Sequence, residues 1–343
     1  MLTDAAGKPM IAWDFNQRQQ ADNTFFDERR LFFTEYDALH RPTAQWLRMN
    51  DDPPQMVERF EYRDTRQPDG TPNPNVAADQ AANLIGQAVF HYDPSGRVEL
   101  VKRDFNGNVV DIARRLNNQP TESIVNWAAD PQNFLEAETF VQHTEYDALN
   151  RMVRLENWHR QGDAGAVYIP TYSERGLLTR ETLTIRGSTT TAIQAIKYNA
   201  KGQKEFLQLG NNTLTQYEYD PTTFRLKQIR TTRPTDPANF PALRSNLSNP
   251  KIVQQLLYTY DPVGNITEVE DQAYKPVFFD NGIAEPKSLY TYDALYRLIE
   301  ASGREAAVGG DAAREAKEPA YGNGFPITDQ TLRRYTERYA YDP

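Results

Sequence analysis

Glu268 and Glu270 are the carboxylates in this sequence best spaced for acid–base chemistry. Side chains alternate faces along a strand, so residues i and i+2 lie on one face, roughly 6.5–7 Å apart. That is the low end of the separation inverting glycosidases use to protonate a leaving group and activate water. A solvated outer strand face gives the same spacing, and that is the preferred reading. The four histidines, His40, His91, His143 and His159, are dispersed. No His-x-x-x-His pair or cysteine partner accompanies them, so they read as structural. Gly322-Asn323-Gly324 lacks the third glycine of a nucleotide fingerprint and reads as a loop; no Gly-x-Ser-x-Gly elbow or phosphate-binding loop occurs. Aspartates recur along the chain, but each turn offers one carboxylate and calcium takes six or more oxygens. They therefore read as turn caps. No catalytic, cofactor-binding or metal-ligating residue is assigned.

The tyrosines pose a different question. Six segments place aromatics at i and i+2: Phe60/Tyr62, Phe90/Tyr92, Tyr217/Tyr219, Tyr258/Tyr260, Tyr290/Tyr292 and Tyr339/Tyr341. In Thr34/Tyr36 and Thr144/Tyr146 a threonine takes the first place. Exposed rings in such a row could stack on sugars. Aromatics repeated in register also form cross-strand ladders that hold a sheet together. The ladder is the favoured reading.

What must position these rings is a hairpin, because the second aromatic runs straight into a turn. The turns form the series Asp4, Asp14, Asp37, Asp93, Asp104, Asp147, Ser173, Asn199, Asp220, Asp261 and Asp293, and Asp342-Pro343 begins another. Asp, Asn or Ser at the first place bonds its own backbone two residues on. Pro94, Pro221 and Pro262 suit the next place of a type I turn. Gly7, Gly96, Gly107, Gly176, Gly202 and Gly264 then meet the left-handed requirement of a three-residue hairpin loop. His40 and Asn150 are tolerable there, whereas Tyr296 is a poor fit. The copy at Asp220 has one extra residue, Phe224, and should bulge. The arginine four residues after the aspartate is placed to pair across the hairpin base. The residues assigned to turn and ladder are Tyr36, Asp37, Tyr92, Asp93, Gly96, Tyr146, Asp147, Tyr219, Asp220, Tyr258, Tyr260, Asp261, Gly264, Tyr292 and Asp293.

The predicted fold class is mainly β: a repetitive antiparallel hairpin sheet with a few short helices and long loops, each repeat packing on its neighbours. Long loop insertions are expected over 48–80, 231–250 and 302–328, and short helices over 77–85, 118–137 and 312–317. The helices over 77–85 and 118–137 should lie on the sheet or cap its edge. The composition agrees, with 39% hydrophobic residues, 19 tyrosines and 16 phenylalanines, so large aromatics supply the burial. The net charge of −9 and scattered basic residues give no nucleic-acid footprint. The absence of cysteine excludes disulfides and thiolate metal sites. No apolar run approaches the ~20 residues of a membrane helix, and the first residues lack the apolar stretch of a signal peptide.

With these residues in view, the chain resembles RHS (YD) repeat proteins. The stretch from Leu256 through Tyr258-Thr-Tyr-Asp-Pro-Val-Gly264 to Tyr290-Thr-Tyr-Asp-Ala-Leu-Tyr-Arg297 and Glu305 is similar to the shell-forming B and C components of bacterial insecticidal toxin complexes. The resemblance implies a strip of a hollow shell that encapsulates a toxic cargo, secreted as part of a toxin complex. Its partners would be the remaining repeats of the shell, the unfolded cargo and a pore-forming translocation component. The self-cleaving Asp-Pro-x-Gly core of such proteins is not carried over, because Asp93-Pro94 and Asp261-Pro262 match only as ordinary turns. All 343 residues are expected to form one repeat segment of a larger chain, with no separate catalytic domain. The alternative is a secreted or surface carbohydrate-binding adhesion module built on the same repeats.

Overall fold

The computed structural model describes the chain except residues 20–21, 68, 122–123, 235–246, 248, 250, 280, 307–331 and 343. The chain divides into two units, Met1–Pro170 with Leu183–Thr189, and Thr171–Thr182 with Thr190–Pro343. In the first unit, β1 (Leu2–Thr3), β2 (Pro9–Gln19), β3 (Phe25–Tyr36), β4 (Pro42–Met49) and β5 (Gln55–Tyr62) precede a short helix, α1 (Val76–Ala81). Strands β6 (Ala88–Asp93), β7 (Gly96–Arg103), β8 (Val109–Leu116), β9 (Phe140–Tyr146) and β10 (Met152–Arg160) follow. Strands β11 (Val167–Tyr172) and β12 (Leu178–Ile185) are divided between the units.

The second unit carries β13 (Ser188–Tyr198), β14 (Lys204–Leu209), β15 (Leu214–Tyr219), β16 (Leu226–Thr232) and β17 (Ile252–Tyr260). It continues with β18 (Ile266–Asp271), the small hairpin β19 (Val277–Phe279) and β20 (Gly282–Ala284), then β21 (Lys287–Tyr292), β22 (Leu298–Ala306) and β23 (Leu332–Arg338).

Within the first unit each strand from β1 to β11 pairs antiparallel with the next. Within the second, β13 to β18 do the same, β18 then pairs with β21, and β21, β22 and β23 continue the meander. In a meander successive connections alternate between the two ends of the strands. The turns at Asp4, Asp37, Asp104 and Asp147 therefore share one end in the first unit. Those at Asn199, Asp220, Asp261 and Asp293 share one end in the second. We call this end the motif rim.

Several expectations are corrected. Asp14 is no turn: it lies inside β2, paired in register with Arg30, and Gln17 stands where a left-handed residue would be needed. Asp93 lies at the end opposite the motif rim, between β6 and β7. There Asp93 pairs directly with Gly96, leaving a two-residue loop instead of three. Gly96 has φ of 137°, outside the left-handed well that the other motif glycines occupy.

The stretch read as a loop over 48–80 contains β5 and α1, because Met56, Val57, Phe60 and Tyr62 alternate with polar residues strongly enough to join the sheet. The helix expected over 77–85 is shortened to α1, ended by left-handed Asn83 and Gly86 (φ 55° and 81°). The segment then rests on the sheet through buried Leu84, which clusters with Val89 and Leu100. The helix expected over 118–137 does not form. Only a 3-10 turn over Pro131–Phe134 appears, capped by Asp130. Two prolines and several Asn and Asp residues oppose a longer helix. Its apolar residues instead fold onto Tyr92, where Val125, fully buried Trp127 and Leu135 form the other core cluster of the first unit. The call on 231–250 falls mostly outside the described residues, although β16 runs to Thr232. Of 302–328, β22 takes the start, and the helix expected over 312–317 lies outside the described residues.

Candidate functional site

The recurring chemistry of this chain is concentrated in the motif rim. At each complete turn the aspartate closes the loop from both ends. Asp37 Oδ1 accepts the N–H of Leu39 and of Arg41, each at 2.9 Å. Asp147 does so for Leu149 and Arg151 (2.8 and 3.0 Å), and Asp293 for Leu295 and Arg297 (2.8 and 2.9 Å). Asn199 fills the same place for Lys201 and Gln203. Reversal requires a left-handed residue, supplied by Gly107, Gly202 and Gly264 and by non-glycines His40, Asn150 and Tyr296 (φ 57°, 61° and 62°). Tyr296 is a strained choice there, held by its N–H donating to the Asp293 carbonyl at 3.0 Å. The extra residue of the Asp220 copy is absorbed as expected, with Phe224 itself left-handed at φ 59°.

The second carboxylate oxygen takes the side chain four residues on. Arg41, Arg151 and Arg297 each donate from Nε to their own aspartate at 2.7 Å. Asn108 and Asn265 do the same through Nδ2 at 2.8 Å. These bonds hold the carboxyls below the usual carboxylate range. The Arg151 side chain is the main cause at Asp147, and the Arg297 backbone N–H at Asp293. At Asp37, burial pushes the carboxyl up, but the Arg41 and Leu39 bonds outweigh it.

The exit residue then reaches the next turn along the rim. Arg41 forks onto Asp64 at 3.0 and 2.7 Å, and Asn108 Nδ2 donates to Asn150 Oδ1 at 2.9 Å. Gln203 donates to the Phe224 carbonyl at 2.9 Å, and Arg225 to the Asp261 carbonyl at 3.0 Å.

The tyrosine before each turn completes the stitch. Its hydroxyl donates to the carbonyl of the first residue leaving the preceding turn. In the first unit Tyr36 bonds Pro9 (2.8 Å) and Tyr62 bonds Pro42 (3.0 Å). In the second, Tyr198 bonds Leu178 (2.9 Å), Tyr219 bonds Lys204 (2.8 Å) and Tyr260 bonds Leu226 (2.7 Å). Tyr292 bonds Ile266 (2.9 Å) and Tyr341 bonds Leu298 (2.8 Å). Guanidinium groups cover several of these rings: Arg41 lies 4.1 Å from the Tyr62 centroid, Arg297 4.8 Å from Tyr341 and Arg225 5.7 Å from Tyr260. The hydroxyls and ring faces a sugar would use are thus already engaged.

Two assigned tyrosines stand apart. Tyr92 is buried beside Trp127, ring centroids 5.3 Å apart, and desolvation pushes its hydroxyl above the ordinary value. Asp93 is held by Arg114 across the sheet (2.7 and 2.9 Å), not by Arg97. Tyr146 precedes Asp147 without a clamp bond among the described residues. Described ring pairs gather around Trp127 and between Phe60 and His91, and the paired tyrosines, Tyr258 with Tyr260 included, do not stack on one another.

Other candidates stay weak on geometry. Glu268 and Glu270 share a half-buried strand face with Lys287, which pairs in register with Glu270 and bonds Glu285 at 3.1 Å. The histidines are dispersed in sequence, yet each meets a carboxylate in the first unit: His40 Asp4 (3.7 Å), His91 Glu58 (3.4 Å), His143 Asp111 (2.6 Å) and His159 Glu156 (3.9 Å). Only strand register reveals these pairs. Arg97, Glu99, Asp111, His143, Glu156 and His159 border an open cavity of about 510 Å³. An Asp–His pair there needs a nucleophile within reach. The cavity is lined by no serine or cysteine, and its one threonine, Thr139, lies four residues from His143, about 13 Å in extended backbone. No His, Asp or Glu grouping among the described residues could hold a metal ion.

No protein-family model matches the chain. It is 28% identical to toxin subunit YenC2 of Yersinia entomophaga over 352 residues, covering 100% of this chain and 34% of that subunit. Toxin subunit YenC1 of the same organism is 28% identical over 317 residues, covering 90% and 29%. Among solved structures, the TcdB2–TccC3–Cdc42 crystal structure matches with a TM-score of 0.71 and 26% identity over 98% of this chain and 15% of that one. TcdB2–TccC3 matches at 0.70 and 28% over 99% and 15%. A Tc holotoxin pore from Photorhabdus luminescens matches at 0.70 and 29% over 99% and 14%. The chain therefore spans about a third of the length of the curated relatives it matches. With its stitched Tyr-Asp turns and these relatives, the chain is an RHS (YD) repeat protein that resembles the B and C shell components of bacterial insecticidal toxin complexes.

Proposed function

We propose that this chain is a structural segment of a toxin shell, a non-enzymatic strip of wall that helps enclose a toxic polypeptide for delivery. The observation that carries the reading is the turn-to-turn stitching. Every motif turn spends its aspartate, exit side chain and tyrosine hydroxyl on its neighbours, which suits a wall and leaves little for a ligand. The likeness to toxin subunits and to TcdB2–TccC3 supports it. In this reading the segment belongs to a larger polypeptide of the same repeats, and the complex acts outside the producing cell. Its partners are the remaining wall, the unfolded cargo and a pore-forming component that receives the cargo.

The test is protease protection. The complete wall polypeptide containing this segment is co-expressed with its toxin polypeptide, and the purified complex is treated with trypsin. The cargo should survive while folded wall surrounds it and be degraded once the wall is opened by denaturant. Cargo cleaved in the intact complex as fast as free cargo would overturn the proposal.

A further inference from the structure

The motif rim carries apolar side chains that hairpin chemistry does not explain. In the first unit, Leu39, Phe105 and Leu149 stand at the tips of motif turns with 69%, 96% and 68% of their surface exposed. In the second, Val263 and Leu295 do so at 56% and 70%. Turn tips ordinarily carry Gly, Asn, Asp, Ser or Pro, each for a stated conformational reason. The turns at Asn199 and Asp220 obey that habit, with Lys201 and Thr222 at the corresponding tip. The turns at Asp37, Asp147 and Asp293 share instead the sequence Asp-Ala-Leu-x-Arg, with the leucine at the tip.

Adjacent motif turns are two strands apart, roughly 10 Å along the rim. Phe105 and Leu149 are such neighbours, as are Val263 and Leu295, so the tips form short apolar rows.

Two further features suit these rows to being covered. The turn backbone is saturated from within: the N–H of Leu39, Leu149 and Leu295 donates to its own turn aspartate at 2.8–2.9 Å. A partner laid on the tips would strand no polar backbone group, and would find none to pair with as a strand. The carboxylate at each leucine-tipped turn is also held by a guanidinium, at 2.7 Å. Two such rims can meet without facing unpaired carboxylates, although the chain carries a net charge of −9.

We propose that the motif rim is a contact surface whose occupant is the motif rim of a second copy of this chain, tip against tip. The surface is self-complementary in charge and apolar character, as an isologous contact requires. The inference rests on the rim itself and not on encapsulation.

The chain has no cysteine, so single replacements report cleanly. Leu149→Cys and Leu295→Cys are compared with Lys201→Cys and Thr222→Cys for cross-linking by a short bismaleimide. The tip leucine positions should give covalent dimers at about tenfold higher yield than the polar-tipped controls. Sedimentation from micromolar to submillimolar protein should show association that is lost when Leu39, Phe105 and Leu149 are all changed to Ser, with far-UV circular dichroism unchanged. Equal cross-linking at tip and control positions would overturn the proposal. So would a wild-type chain that stays monomeric across the range. Association that survives the triple serine change but disappears when charges are placed on edge strand β2 or β23 would overturn it in favour of strand pairing.

Discussion

Removing one hydroxyl tests the stitched rim most directly. Tyr260→Phe deletes the 2.7 Å bond to the Leu226 carbonyl while keeping the ring beneath Arg225. The bond is partly buried, so its net worth is about 0.5–1.5 kcal/mol, and the carbonyl left behind is partly re-solvated. A loss of about 1 kcal/mol corresponds to roughly fivefold faster opening of the hairpins it joins. Native-state hydrogen exchange reads this locally, which matters because a repeat sheet need not unfold in two states. The amides of β16 and β17 should exchange about fivefold faster, with those of β13 and β14 unaffected. Tyr258→Phe, two residues away, removes a hydroxyl with no clamp and should change exchange less than twofold, within the usual ~0.5 kcal/mol of a neutral substitution. Combining Tyr260→Phe with Tyr292→Phe tests whether neighbouring clamps act as a row. Independent clamps add within about 0.5 kcal/mol, whereas a coupled rim loses more or less than the sum. If Tyr260→Phe exchanges like Tyr258→Phe, the hydroxyl does not hold the hairpins together and the stitching argument fails.

Two further outcomes follow from the turns. A Cβ on Gly96 would stand 2.1 Å from the Arg115 carbonyl oxygen, whereas one on Gly202 meets nothing within 4 Å. Gly202→Ala should cost about 1–2 kcal/mol for its left-handed backbone alone. Gly96→Ala must also displace β8 and should cost more, and urea unfolding that ranks them in the opposite order would contradict this geometry. The turn carboxyls of Asp4, Asp147 and Asp293 are held below their ordinary values. The folded state then binds fewer protons than the unfolded state as pH falls through the usual carboxylate range near ~4. Their contribution is present above that range and lost as pH falls through the folded values. Thermal midpoints should be level from neutral pH to about 5 and decline below about 4. Asp147→Asn should make that decline shallower, and an equally steep decline in the variant would assign it to other carboxylates.

The turns were legible because their chemistry is local. Asp147 binds the N–H groups of Leu149 and Arg151 and the Arg151 side chain, all within five consecutive residues. Any chain with these residues in this order gains the same bonds, so the hairpin array could be read directly. Asp14 shows the limit: its segment has the aspartate but no residue suited to the left-handed place, and the long pairing of β2 with β3 prevails. The failed helix over 118–137 has the opposite cause. A tertiary partner, Tyr92, made burial of Trp127 worth more than any local helical preference.

By itself, the sequence determined the unit: a strand, an Asx-capped turn and a returning strand, repeated with aromatics ahead of the turn. Tertiary structure alone decided what the aromatics do. The clamp partners lie 15 residues apart for Tyr219 and Lys204 and 43 for Tyr341 and Leu298. No fixed spacing announces them, because the intervening chain varies while the meander keeps the turns side by side. The same holds for the histidines that meet carboxylates across strands and for Asp93, which only a count of strand reversals places at the opposite end. Local hydrogen bonds depend on neighbours in sequence, and stitching depends on neighbours in the sheet, which exist only once every strand has found its register.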